Sequence, residues 1–216
     1  MRVNKFIASS TKLSRRAVDQ AINSHRVMVN NQPALIGQEV TVADVVTLDN
    51  QVISQTSDHI TIMLNKPVGY VVSRDGQGSK SIYDLLPLEY VKLKPVGRLD
   101  KDSSGLLLLT SDGQLAYELT HPKFSKEKVY EVRLDRALRS EDRIKLEAGV
   151  KLSDGLSKLS LEGEGKLWTV RLSEGRNRQI RRSFAAVSYK VVGLHRTKLG
   201  SYKLDNLASG QLKVLV

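Results

Sequence analysis

Apolar residues recur at helical spacing at Val3, Phe6 and Ile7, and again at Leu13, Ala17, Ala21 and Ile22, where Ser14 supplies an N-cap. The chain therefore opens with two short helices. Arg26-Val27-Met28-Val29 reads as a strand, Asn30-Asn31 as its turn, and Val40 to Leu48 as a further β-rich return. A compact helix-helix-sheet unit is predicted. The polar, unpatterned run Ser54-Gln55-Thr56-Ser57-Asp58 reads as a linker, which divides the chain into domains of residues 1–57 and 58–216. Beyond it, Ile60, Ile62 and Leu64 alternate as a strand ending at Asn65-Lys66-Pro67, and Val68 to Val72 is expected to resume it. Leu115, Ala116 and Leu119 suit a short helix. Tyr130, Val132 and Leu134 alternate with Val129, Glu131 and Arg133 as a strand, and Lys151 to Leu161 and Lys166 to Leu172 give more. Arg178 to Ala186 reads as a helix with Ile180, Phe184 and Val187 on one side and its bases exposed. Strands outnumber helices without regular βαβ alternation, so the second domain is expected to be α+β, on a mixed, largely antiparallel sheet.

At 216 residues the chain can bury a real core without staples, and the absence of cysteine removes disulfides, thiol nucleophiles and Cys-containing zinc sites. It fits a reducing, cytoplasmic setting. His25, His59, His121 and His195 are scattered without metal-ligand spacing, and no apolar run approaches the roughly 18 residues of a membrane span. Charge adds a partner. Net charge is +11, from 34 Lys and Arg against 23 Asp and Glu. Residues 1–30 hold six bases against Asp19, and residues 166–203 hold ten against Glu174. Two basic segments separated by neutral sequence point to nucleic acid. Arg15 and Arg16, on the first turn of the second helix, lie where free backbone N–H groups already attract phosphate.

Chemistry concentrates in Gly97-Arg98-Leu99-Asp100-Lys101-Asp102-Ser103-Ser104-Gly105, a glycine-bracketed loop before Leu106 to Leu109. Such a loop holds a carboxylate still and reachable. Asp102 at i+2 suggests a glycosidase pair, but near neighbours rarely straddle a sugar ring at the needed separation.

The first fifty residues resemble the S4 RNA-binding domain through Val3-Asn4-Lys5-Phe6-Ile7-Ala8, Ser14-Arg15-Arg16-Ala17 and Arg26-Val27-Met28-Val29-Asn30, departing at His25 and Asn31, where that family usually has glycine. Four further blocks, Leu64-Asn65-Lys66-Pro67, Gly97 to Asp100, Lys128-Val129-Tyr130 and Glu174 to Arg182, resemble the RNA pseudouridine synthases of the RsuA/RluB/RluE/RluF family. The resemblance implies isomerisation of a uridine within ribosomal RNA, the large-subunit RNA being preferred over the small: C1′–N1 is cut, the base turns, and C5 bonds to C1′. It implies no cofactor or metal. Asp100 is the implied catalytic carboxylate, either adding to the nucleotide or abstracting a sugar proton. Arg181 is its expected guanidinium partner and Tyr130 is expected to stack on the extruded base. Arg98 is implied to enter the stack where the uridine leaves. Lys5, Arg15, Arg16, Arg26, Lys66, Arg176, Arg178 and Arg182 complete the expected RNA contacts, Lys66 also doing scaffold work. The expected protein is a monomer with no membrane partner, bound to a ribosomal RNA stem-loop or a pre-ribosomal particle. The competing reading is a non-catalytic RNA-binding or ribosome-assembly factor on the same scaffold.

Overall fold

In the computed structural model, which describes residues 1–11, 13–54, 59–76 and 78–215, the first apolar stripes become α1 (Val3–Ser10) and α2 (Arg15–Asn23). The Ser14 side chain caps α2 by accepting from the Ala17 N–H at 3.2 Å. Both helices bury their apolar faces with Val27, Val29, Val40 and Val46. These valines belong largely to β1 (Val27–Val29) and β3 (Val46–Leu48), which with β2 (Gln32–Pro33) and β4 (Gln51–Val52) form an antiparallel sheet in the order β2-β1-β3-β4. His25 and Asn31 take left-handed backbone, with φ of 53° and 63°, so the positions where the S4 family has glycine keep glycine-like conformations. The expected return over Val40 to Leu48 shortens to β3. Before it, the Asp44 carboxylate accepts from the Thr41 N–H and hydroxyl at 2.7 and 2.8 Å and holds a turn.

The chain divides into two compact units, Met1–His59 and Ile60–Val216. Residues 55–58, where the linker and the 57/58 boundary were expected, lie outside the described residues, as does Lys12 of the amino-terminal basic segment.

The second unit is built on β5 (Thr61–Lys66), β6 (Lys94–Pro95), β7 (Ser104–Thr110), α3 (Gly113–Thr120), β8 (Lys128–Leu134), α4 (Ser140–Ala148), β9 (Val150–Leu152), β10 (Gly155–Ser157), β11 (Ser160–Glu164), β12 (Leu167–Leu172), α5 (Gln179–Ala186), β13 (Val191–Leu199), β14 (Tyr202–Lys203) and β15 (Leu212–Val214). Among the described residues its main sheet has nine strands, running β11-β12-β8-β13-β7-β5-β15, with β14 on β13 and β6 on β7. The β13–β7 pair is parallel and the other pairs are antiparallel. The sheet is thus mixed and largely antiparallel. Hairpin β9–β10 stands apart from it.

Helices and loops cover both faces of β5 and β7. Ile62, Leu64, Leu107 and Leu109 pack in one cluster with Leu146 of α4 and Ile180 and Phe184 of α5. Met63, Leu106 and Leu108 pack in another with Leu119 of α3. All six residues of β5 are therefore buried. Leu106 to Leu109 are fully buried, each side chain contributing roughly 1.5–3 kcal/mol of transfer free energy. This double layer is the base on which the following site stands. Val68 to Val72 does not resume the strand: Gly69 has a φ of 94° and Val71 makes a lone bridge to Ser81.

Candidate active site

The Gly97–Ser103 loop enters β7 beside the end of β5, where Lys66 pairs with Gly105. Lys66 is fully buried. Its Nζ donates to the carbonyls of Pro67, Asp100 and Ser103 at 3.0, 3.1 and 2.7 Å. Burial pulls this ammonium down to about 8, against the attraction of Asp100 and Asp102. The expectation that Lys66 contacts RNA is corrected: no surface is left to offer a phosphate, and its charge instead ties both ends of the Asp100–Ser103 turn to the sheet. The Ser103 N–H closes that turn on the Asp100 carbonyl at 3.0 Å. Gly105 follows at φ 107°, and a Cβ there would lie 2.3 Å from the Arg196 carbonyl oxygen, so glycine is what admits β13 alongside β7.

The turn presents two carboxylates to the start of α5, where Arg178 has left-handed backbone just before the first helical residue. Arg178 forks onto Asp102, Nη1 to Oδ1 at 2.9 Å and Nη2 to Oδ2 at 3.0 Å. The same Nη1 stands 3.5 Å from Asp100 Oδ2, an ion-pair contact without a hydrogen bond. One turn along, Arg181 donates to the carbonyls of Val191 and Asp102, both at 2.8 Å, and to Ser103 Oγ at 3.2 Å, with its Nε 3.4 Å from Asp102 Oδ2. Among the described residues the expected Asp100–Arg181 pair makes no direct contact, although the Asp100 charge still acts on Arg181. Arg178 touches Asp100, while Arg181 pins the loop backbone and shares Asp102. Arg178, the N-cap of α5, and Arg181 in its first turn meet the turn side by side.

The Arg178 hydrogen bonds hold the Asp102 carboxyl below its usual range, whereas burial pulls the Arg181 guanidinium down from its own. The Asp100 side chain is 31% exposed. Among the described residues its carboxylate accepts no hydrogen bond, so beside the Arg178 contact its lone pairs are open and reachable. Asp102 and Arg181 border a cleft of about 900 Å3 walled by Val68, Trp168, Leu194 and His195, so this ion pair too is reached from solvent.

The remaining residues separate into two groups. Tyr130 of β8 is 8% exposed, in the same core cluster as Leu99, the residue before Asp100. Arg15, Arg16 and Arg98 are exposed, and Lys5 is half-buried on α1. Arg26, by contrast, forks onto Asp49 at 2.7 and 2.5 Å, joining β1 to the turn after β3. Arg182 forks onto Asp154 at 3.0 and 2.7 Å. Arg176 donates to Asp154, Leu156 and Glu174 at 2.9 to 3.1 Å. Arg26, Arg176 and Arg182, expected to contact phosphate, each hold an acid in the structure, Arg26 with 54% of its side chain still exposed. The expected outward bases of the last helix are likewise corrected, Arg181 being only 12% exposed at its side chain.

Sequence reasoning set Asp102 aside, although it organises both arginines, and missed Asp154 and Gln179. Gln179 is buried, donates to Ser157 Oγ at 2.9 Å and also bonds Glu174. The i+2 acid beside a run of bases was the available signal for Asp102. For Asp154, an acid in a turn 22 and 28 residues from its partners, no local signal exists.

Residues 60–186 match the family model described as RNA pseudouridylate synthase, and residues 1–46 match that of the S4 domain. The ribosomal large subunit pseudouridine synthase B of Bacillus subtilis is 33% identical, over 99% of this chain and 91% of its own length. The ribosomal small subunit pseudouridine synthase A of Pasteurella multocida is 34% identical, over 100% and 96%. The dual-specificity RNA pseudouridine synthase RluF of Escherichia coli is 33% identical, over 100% and 75%. A crystal structure of a pseudouridylate synthase superposes with a TM-score of 0.72 at 33% identity, covering 100% of this chain and 96% of that one.

Proposed function

This chain belongs to the RNA pseudouridylate synthase family and is an RNA pseudouridine synthase with an S4 domain, and from that premise we propose that it isomerises one uridine of ribosomal RNA, Asp100 acting on a nucleotide turned out of its strand. The observation that carries the reading is the Asp100 carboxylate: part-exposed, accepting no hydrogen bond from the described residues, and 3.5 Å from a guanidinium in a loop tied to the sheet by a buried lysine. Fixed geometry with open lone pairs suits either addition to the nucleotide or removal of a sugar proton. In both routes the C1′–N1 bond breaks and C1′ joins C5, the bond to Asp100 is broken again or the sugar proton given back, and the proton lost from C5 is balanced by one gained at N1. No atom is added or lost.

Tyr130, on a strand of the shared core, is the wall against which the base stacks. Arg98, exposed two residues before Asp100, offsets the unstacking cost of a few kcal/mol as the uridine leaves. Arg15, Arg16 and Lys5 hold the RNA through the S4 domain. The enzyme acts as a monomer in the cytoplasm, on a stem-loop or a pre-ribosomal particle. Large-subunit RNA is the expected substrate; relatives named for either subunit are about equally similar, so the test covers both.

Protein added to unmodified ribosomal RNA, mapped for pseudouridine by chemical primer-stop, is expected to create one new stop. Asp100→Ala is expected to lower the rate by about 1,000-fold or more while keeping RNA affinity. Equal modification by the variant removes Asp100 from the mechanism. RNA binding by wild type with no isomerisation on either RNA favours the assembly-factor reading instead.

A further inference from the structure

Two carboxylates and two guanidinia meet at the loop, and the hydrogen bonds are shared unequally. Asp102 receives both bonds of the Arg178 fork and lies within 3.4 Å of Arg181 Nε. Asp100, two residues earlier, receives none from the described residues, although Arg178 Nη1 is 3.5 Å away. A forked guanidinium occupies carboxylate lone pairs and withdraws the electron density that a nucleophile or base must supply. An arginine this close therefore helps by its charge only as long as its fork is engaged elsewhere.

We propose that Asp102 is a positioning residue that engages the Arg178 fork and so keeps the Asp100 carboxylate paired in charge but free in its lone pairs. The inference rests on the reading of Asp100 given above. It accounts for the acid at i+2, which is too near in sequence to share a glycosidase-like role. It also accounts for the turn geometry: the Ser103 N–H on the Asp100 carbonyl at 3.0 Å bends the chain so that both side chains reach the start of α5. Arg181, fixed to the carbonyls of Val191 and Asp102, cannot swing to replace Arg178. Arg178 can swing, with a side chain 43% exposed. Loss of the Asp102 charge leaves Asp100, 3.5 Å from Nη1, as the carboxylate that draws the fork.

The test is a set of variants assayed on ribosomal RNA at saturating and limiting concentration. Asp102→Asn keeps the shape of the side chain and is expected to lower kcat by about 10- to 100-fold with little change in KM. Asp102→Glu, which restores the charged, two-oxygen carboxylate, is expected to recover most of that loss. Arg178→Gln is expected to raise KM and to lower kcat less than Asp102→Asn does. The double variant Asp102→Asn/Arg178→Gln is expected to exceed Asp102→Asn in kcat, because the fork that closes on Asp100 is gone. A plain structural bridge gives the opposite pattern, with both single variants and the double equally impaired. That pattern, or wild-type kcat in Asp102→Asn, overturns the proposal. A crystal structure of Asp102→Asn should show Arg178 at hydrogen-bond distance from both Asp100 oxygens, and an Arg178 turned to solvent likewise overturns it. Asp100→Ala is assayed beside them: if it is active, the reading of Asp100 itself falls, and if it is inactive, a failed Asp102 result counts against this inference alone.

Discussion

A single ammonium carries much of the site's rigidity. Lys66 ties Pro67, Asp100 and Ser103 together by three bonds inside a dry core, at the cost of a pKa drawn from 10.5 to about 8. The unfolded chain keeps this proton to about 10.5 and the fold only to about 8, so between those values the unfolded state binds more protons and stability rises with pH. Activity moves the other way, since a neutral amine has one donor fewer for three carbonyls. The expected outcome is a kcat that declines above about pH 8, while stability toward urea rises relative to Lys66→Met, which has no proton to lose. Paired pH series of rate and unfolding midpoint check this, and a rate that stays flat across the window refutes it. Asp100 illustrates the same scale from the opposite side: its position was legible because glycines bracket it, yet its partner was not. Both Arg178 and Arg181 stand in the same basic run, and only their place on the helix separates the fork from the pin.

Among the elements, the parallel contact between β7 and β13 tolerates little change. Gly105 leaves the Asp100 loop where the Arg196 backbone crosses, and a methyl group there would sit 2.3 Å from the carbonyl oxygen and 2.5 Å from the nitrogen. Gly105→Ala is expected to destabilise the second unit by about 3 kcal/mol, through overpacking added to a positive φ. The urea midpoint should fall with little change in slope, and a variant as stable as wild type would show that the strands can part. Helix α4 shows what periodicity cannot see. Of its residues, Leu146 and Asp142 are buried and Ile144 is exposed, so no apolar stripe announces it. It is docked by a buried acid, Asp142, which accepts from Lys145, Arg139 and Tyr189 at 2.8 to 3.2 Å. Hydrogen bonds to Lys145 and Arg139 hold that carboxyl at about 2, a feature polar patterning reads as surface.

For the whole molecule, division of labour follows from charge. The S4 unit exposes Arg15 and Arg16 at the start of α2, while several bases of the second unit are already bridged to acids. Replacing Arg15 and Arg16 by alanine is expected to weaken RNA binding and to reduce the slope of log affinity against log salt by about 1.5. The rate at saturating RNA should hold, because neither arginine lies in the unit that carries Asp100. Affinity titrations at several salt concentrations measure the slope, and an unchanged slope would place the S4 contact elsewhere.

Residue order alone determined that an S4-type segment precedes a synthase domain, that Asp100 sits in a loop before a leucine-rich strand, and that RNA is the partner. The loop and strand follow from spacing and turn residues and the nucleic-acid partner from charge, while the two domains follow from the resemblance of short motifs, all of them local properties of the chain. Tertiary structure decided which charges meet. Arg178 reaches Asp102 across 76 positions and Lys66 reaches Ser103 across 37. Bases that look alike in sequence became a buried anchor, a fork, a pin and several internal bridges. The physical reason is that a charge has no fixed role until folding sets its distance to other charges and removes its water, and both are long-range consequences of how the sheet and α5 pack.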